Sequence, residues 1–161
     1  MQLKFFTKMI KATFKKYILQ FKNPSGTSRG ILKTKETFFL EIFDGDKKGI
    51  GECAIFRGLS YDDVPEYEEK LQWLCENINA NSEILKLELK HFPSIWFGYE
   101  QAILNLKHGE NLYFPSEFTK GKSSIKINGL IWMGNADFMQ LQIEEKLKQG
   151  FDCIKLKIGV D

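Results

Sequence analysis

The chain has 161 residues, 43% of them hydrophobic and 27% charged, with a formal net charge of +2. That length and balance exclude a multidomain array, wholesale disorder and a fibrous repeat. No run approaches 18 uncharged apolar residues, which excludes a membrane-spanning helix. Met1 to Lys22 scatters lysines through its apolar residues and has neither a separate apolar core nor a small-residue cleavage site. It does not read as a signal peptide, and the expected location is cytoplasmic. Cys53, Cys75 and Cys153 are odd in number and far apart, with no CxxC. They read as three reduced thiols rather than a disulfide framework or a zinc site.

Charge is uneven along the chain. Residues 1–35 hold nine Lys/Arg and no acid, whereas the remainder holds 14 basic and 21 acidic residues. Phe6, Ile10, Phe14, Tyr17 and Phe21 fall at helical spacing, so a basic amphipathic arm for an anionic partner is one reading. From Thr13 the same stretch also alternates. Thr13, Lys15, Tyr17, Leu19 and Phe21 then share one side, and Phe14, Lys16, Ile18, Gln20 and Lys22 the other. The following Asn23-Pro24-Ser25-Gly26 has turn chemistry, and Thr37–Phe43 is rich in strand formers. The balance favours a strand with a solvated basic face.

A β-hairpin follows, with Asp44 to Gly49 as the connection and Ile50–Ile55 as the return strand. After the polar loop Phe56–Ser60 the period changes to 3.6. Val64, Tyr67, Leu71, Leu74, Cys75 and Ile78 form one helical stripe behind Ser60 or Asp62 as cap. A second helical piece covers about Ser82–Lys90. A third starts after Pro93, with Ser94 as cap, and stops at Gly109. Strands followed by helices predict an α+β unit.

From about Ser123 the pattern changes again. Ile125–Ile131 reads as a strand, Asn135 caps a helix from Ala136 to Gln149, Gly150 stops it, and Cys153–Ile158 is another strand. Strand, helix and strand make a βαβ unit with parallel strands. Two strands and one crossover helix do not bury their own apolar faces. The unit therefore reads as the start of a larger repeat, cut short, or as one that leans on a partner. The predicted division is a domain over 1–110, a linker over 111–122 and the βαβ unit over 123–161.

On the last strand Cys153, Lys155 and Lys157 share one face, and Ile154, Leu156 and Ile158 the other. Parallel strands are normally apolar on both faces, and burying an ammonium without a partner is costly. Two adjacent, desolvated ammonium groups lower each other's proton affinity, which would equip one of them as a base near neutral pH. An edge strand carrying two solvated lysines is the competing reading of the same residues.

Thr27-Ser28-Arg29-Gly30, Gly49-Ile50-Gly51-Glu52, Phe97-Gly98-Tyr99-Glu100-Gln101-Ala102-Ile103-Leu104-Asn105-Leu106 and Lys155-Leu156-Lys157, in this order, resemble the front of an enolase-superfamily enzyme. Leu32-Lys33-Thr34, Phe56-Arg57-Gly58-Leu59-Ser60 and Ile127-Asn128-Gly129-Leu130 most resemble the o-succinylbenzoate synthase family of menaquinone biosynthesis. The resemblance implies an α+β capping domain, an antiparallel β-meander with helices, followed by the first strands of a TIM-type (β/α)-barrel. It implies a lyase that removes a proton α to a carboxylate, with Mg2+ stabilising the enediolate, and then eliminates hydroxide. Lys157 would be the base, and Lys155 would tune it and face the carboxylate. Ser28, Arg29, Phe56, Gly58, Leu59 and Ser60 would lie in cap loops that close over the barrel mouth and contact a small-molecule carboxylate.

In the family the metal ligands sit on later barrel strands, so no metal residue is assigned here, and a chain ending at Asp161 is expected not to catalyse alone. Glu52 and Glu100 read as structural hydrogen-bonding groups, and His91 and His108 as noncatalytic. Neither nucleic acid nor membrane is an expected partner, and a homo-oligomer is compatible with the reading. Dipeptide epimerases and N-acylamino acid racemases share the cap, barrel and lysine, so the substrate stays open at this point. A noncatalytic module that binds an anionic partner and a split protein completed by another chain are the other readings.

Overall fold

The computed structural model describes residues 9–27, 30–109 and 113–158. Strands β1 (Lys11–Thr27), β2 (Gly30–Asp44) and β3 (Lys47–Ala54) form an antiparallel sheet in the order β1-β2-β3. The alternation of residues 13–22 thus belongs to a strand, and Phe14 pairs with Leu40 and Tyr17 with Thr37. Asn23-Pro24 does not end that strand. The register shifts between Gln20 and Ser25 and pairing resumes to Thr27. A proline has no N–H for the ladder, so the segment is accommodated as an irregularity inside a long strand.

The β2–β3 connection is tighter than the composition suggested. Asp44 pairs with Lys47, which leaves Gly45 and Asp46 as the loop, with Gly45 at φ 59°. Two-residue hairpins need such left-handed positions, and glycine adopts them without strain.

Phe38, Leu40 and Ile42 alternate onto one face of β2, where they are fully buried with Cys53 and Ile55. Helices α1 (Tyr67–Glu76), α2 (Ser82–Glu88) and α3 (Pro93–His108) supply the rest of this core through Tyr67, Leu71, Leu74, Leu85, Ile95 and Ala102. The expected caps differ. Neither Ser60 nor Asp62 caps α1, whose Glu66 makes no side-chain cap bond. Asp62 instead reaches α3, where its Oδ2 accepts from the Ser94 N–H at 2.8 Å and the Ser94 hydroxyl at 2.7 Å. A buried carboxylate thereby satisfies an orphan donor at the first turn of α3, with Pro93 at its start needing none.

Beyond the exposed turns of residues 113–122 lie β4 (Gly129–Ile131), α4 (Ala136–Lys148) and β5 (Ile154–Leu156). The two strands are parallel, with Gly129 opposite Ile154 and Ile131 opposite Leu156. Asn135 accepts from the Phe138 N–H at 2.9 Å and caps α4, and Gly150 at φ 84° follows its end, as read from the sequence. Both strands are shorter than predicted. Ile125 and Ile127 stand outside β4 and are exposed, since two short strands offer few ladder partners.

Candidate active site

Two motifs that carried the resemblance prove to be packing devices. Helix α3 lies directly on β3. A Cβ on Gly51 would come 1.8 Å from the Gly98 carbonyl oxygen, one on Gly49 2.1 Å from that of Ala102, and one on Gly98 2.3 Å from Cys53 Sγ. At this close approach the free N–H groups of edge strand β3 reach side chains of α3. Ile50 N–H donates to Asn105 Oδ1 at 2.8 Å and Glu52 N–H to Gln101 Oε1 at 3.0 Å. Gln101 and Asn105, four residues apart, share one helix face and cover the sheet edge that β3 would otherwise expose.

Glu52 is structural as expected. Its carboxylate accepts from Lys35 Nζ at 3.0 Å and Thr37 Oγ1 at 2.8 Å. Burial alone would raise its pKa, but these two donors outweigh burial and hold it below the usual carboxylate value. His91 Nδ1 lies 3.2 Å from the Tyr61 hydroxyl on the exposed surface. The three cysteines are free, and burial pushes the Cys75 thiol up to about 11.

The Phe56–Ser60 loop is closed by its own bonds. Leu59 and Ser60 N–H donate to the Phe56 carbonyl at 3.0 and 2.9 Å, and Phe56 N–H donates to Ser60 Oγ at 2.9 Å. Gly58, at φ 73°, donates its N–H to Asp63 Oδ2 at 2.6 Å. That N–H first, and Arg57 second, hold the Asp63 carboxyl below its ordinary value. Arg57 donates to Asp63 Oδ1 at 2.6 Å and, through its other terminal nitrogen, to Glu36 of β2. Phe56 and Leu59 remain exposed, and Lys35 Nζ stands 5.3 Å from the Phe56 ring centroid. Ser28 and Arg29 lie outside the described residues.

Lys155 sits within β5, and Lys157 follows it, with its N–H donating to the Ile131 carbonyl at 3.0 Å. Both side chains are exposed, so the described residues supply none of the burial on which the sequence argument relied. The apolar face expected to pack on a helix is open too, with Leu156 50% and Ile158 81% exposed. Lys157 Nζ stands 5.8 Å from the centre of the Trp132 ring. Trp132 is held by Gln142 of α4, which accepts from its N–H at 2.9 Å and donates to its carbonyl at 3.0 Å. Sequence reasoning passed over this clamp and the Arg57–Asp63–Glu36 ion pairs, because long-range polar partners leave no periodic trace.

Phe21, Lys22, Asn23 and Pro24 of β1 line an open cleft of about 660 Å³ together with Trp132, Met133 and Phe138. It joins the first sheet to the segment that follows β4, and the Trp132 in its lining is the ring that Lys157 approaches. Among the described residues no hydrogen bond or ion pair joins the Phe56–Ser60 loop to either lysine. A cleft of about 710 Å³ on α3, lined by Trp96, Phe97, Tyr99, Tyr113 and Phe114 among others, shares no residue with this one. Among the described residues no group of three or more His, Cys, Asp or Glu side chains could hold a metal ion. These residues therefore do not fit a Mg2+ site.

An antiparallel three-stranded sheet with its helices, ahead of a parallel β-α-β pair, defines the N-terminal capping domain of the enolase superfamily. Residues 9–106 match the family described as MenC, N-terminal domain, and the chain belongs to that family. It is 34% identical to the o-succinylbenzoate synthase of Desulfotalea psychrophila, over 91% of this chain and 49% of that protein. The crystal structure of MenC from the same organism superposes with a TM-score of 0.72 at 29% identity, over 92% of this chain and 49% of that one.

The o-succinylbenzoate synthase of Thermosynechococcus elongatus, complexed with Mg in its active site, gives a TM-score of 0.71 at 19% identity, over 94% and 43%. A dipeptide epimerase from Enterococcus faecalis, complexed with Mg and a dipeptide, gives 0.67 at 16%, over 94% and 46%. These last two show the fold alone. The chain spans about half the length of the curated relative it matches.

Proposed function

We propose that the protein is an o-succinylbenzoate synthase of menaquinone biosynthesis, in which this chain supplies the cap, residues 1–110, a linker, 111–122, and the first βαβ unit of a (β/α)-barrel, 123–161. The observation that carries the reading is the lysine pair at the end of a parallel strand, Lys155 within β5 and Lys157 just after it, in a chain that is 34% identical to a synthase over 91% of its length. Lys157 takes the proton α to the substrate carboxylate. The C–H electron pair moves into the carboxylate as an enediolate and returns to form the ring double bond as the C–O bond breaks, and the departing hydroxide takes the proton back from the Lys157 ammonium and leaves as water. Lys155 faces the carboxylate and tunes its neighbour. Ser28, Arg29, Phe56, Gly58, Leu59 and Ser60 contact the substrate from the cap loops and exclude water.

A divalent cation, as in the Mg-bound relatives, would have its ligands outside the described residues. The substrate is a small carboxylate, and the location is cytoplasmic. The test is turnover of the cyclohexadiene carboxylate by the full-length protein. Lys157→Ala should cost on the order of 10²–10⁴ in rate, as loss of a general base does. An active Lys157→Ala enzyme would refute the assignment. Epimerisation of a dipeptide without dehydration would replace the synthase by the epimerase reading, which the fold of the Enterococcus faecalis enzyme supports.

A further inference from the structure

The Phe56–Ser60 loop owes its shape to a line of alternating charge that no catalytic role requires. Glu68 of α1 pairs with Lys16 of β1 at 2.9 Å, and Lys16 pairs with Glu36 of β2 at 3.1 Å. Glu36 pairs with Arg57 of the loop, and Arg57 with Asp63 at 2.6 Å. Asp63 closes the line by taking the Gly58 N–H at 2.6 Å. One guanidinium thus spans two carboxylates that belong to different elements, a task for a planar fork that a single ammonium does not reproduce. The order of charges ties the loop to α1, β1 and β2 before any ligand arrives.

We propose that Arg57 is a positioning residue for substrate selection: held between Glu36 and Asp63, it fixes the Phe56–Ser60 loop so that the exposed Phe56 and Leu59 are presented in one arrangement. This rests on the reading that the loop contacts the substrate. Preorganising such a loop removes its ordering cost from binding, so loss of the lock appears in substrate affinity rather than in the chemical step. Arg57 is itself 46% exposed and fills no place in the core, so the lock contributes little to global stability.

The experiment compares the full-length wild type with Arg57→Met and Arg57→Lys, measuring steady-state turnover of the cyclohexadiene carboxylate, the melting temperature and amide exchange at Gly58, Leu59 and Ser60. Arg57→Met should raise KM about tenfold with kcat within about twofold, leave the melting temperature in place, and speed exchange at the three amides by about tenfold. Arg57→Lys, which keeps the charge but not the fork, should fall between.

Exchange as slow as in the wild type would overturn the lock. Faster exchange with unchanged KM would overturn its part in selection and leave the synthase reading standing. A wild type that turns over none of this substrate would overturn the synthase reading and the selection role together. The exchange comparison would still decide whether Arg57 holds the loop.

Discussion

The contact of α3 with β3 has no room for a methyl group, and Gly51 tests this most sharply. A Cβ there would stand 1.8 Å from the Gly98 oxygen, 2.8 Å from the Gly98 carbon and 2.9 Å from the Ala102 nitrogen. All three are backbone atoms, so no side chain can swing aside. The first distance falls roughly 1.5 Å short of van der Waals contact, and relief requires the helix to retreat from the strand. Overpacking of this kind costs about 1–3 kcal/mol. Retreat also stretches the Ile50–Asn105 and Glu52–Gln101 bonds, and a part-buried N–H left without its acceptor costs about 1–3 kcal/mol more.

The two contributions share one displacement and do not simply add, so Gly51→Ala should lose about 3 kcal/mol in urea unfolding, read from the shift in midpoint at constant slope. Gly58→Ala is the control. Nothing lies within 4 Å of its added Cβ, so it meets only the left-handed backbone at φ 73°, worth about 1–2 kcal/mol. A Gly51→Ala protein within about 1 kcal/mol of the wild type, or less affected than Gly58→Ala, would refute the packing argument.

Asn105→Ala should destabilise by about 1–3 kcal/mol and selectively speed amide exchange at Ile50, since its carboxamide is the acceptor there; unchanged Ile50 exchange would refute that role. The loop should respond to acid. Asp63 is held below its ordinary value of 3.8 by the Gly58 N–H and Arg57, while at Glu36 the bonds from Lys16 and Arg57 outweigh burial. Depressed folded values mean that the stabilisation is present above the unfolded pKa and is lost as pH falls through the lower folded one. The Gly58 amide proton shift should therefore titrate with a midpoint below 3.8, and a midpoint at or above it would contradict the lock. Native-state exchange should open β4, α4 and β5 before the sheet and α3. Ile131 alone among their hydrophobic side chains is fully buried, and equal protection of the two parts would show that burial is a poor guide here.

What the sequence made legible was periodic. Alternation in residues 13–22, the helical stripe of Tyr67, Leu71 and Leu74, the Asn135 cap and the Gly150 stop all appear as read, because each is a local signal with one cause. Where readings failed, tertiary partners decided. Asp62 was a plausible cap for the helix beside it, yet it serves α3, thirty-two residues away, and proximity in sequence could not show that. Pro24 looked like a stop, but the long pairing of β1 with β2 carried the strand past it. The Gly-x-Gly of β3 and the Gln101 and Asn105 of α3 were recognised as a motif. Their meaning, a glycine-lined contact with amides over a sheet edge, needed both elements in place.

The same distinction bears on the lysines. A lysine serves as a base near neutral pH when its ammonium is taken out of water or set beside another cation. Continued one residue past β5, the alternation puts Lys155 and Lys157 on one face, which answers the second requirement from sequence alone. The first requirement is not met by the described residues, among which only the Trp132 ring approaches Lys157. Leu141, Leu156 and Ile158 are at least half exposed around the same unit, a cost that water exacts for every apolar group left uncovered. A strand that shows both an unburied lysine face and an unburied apolar face is suited to being covered on both sides. Covering those faces would both stabilise the unit and desolvate its lysines. The chemistry proposed for Lys157 and the stability of β4, α4 and β5 therefore depend on the same burial.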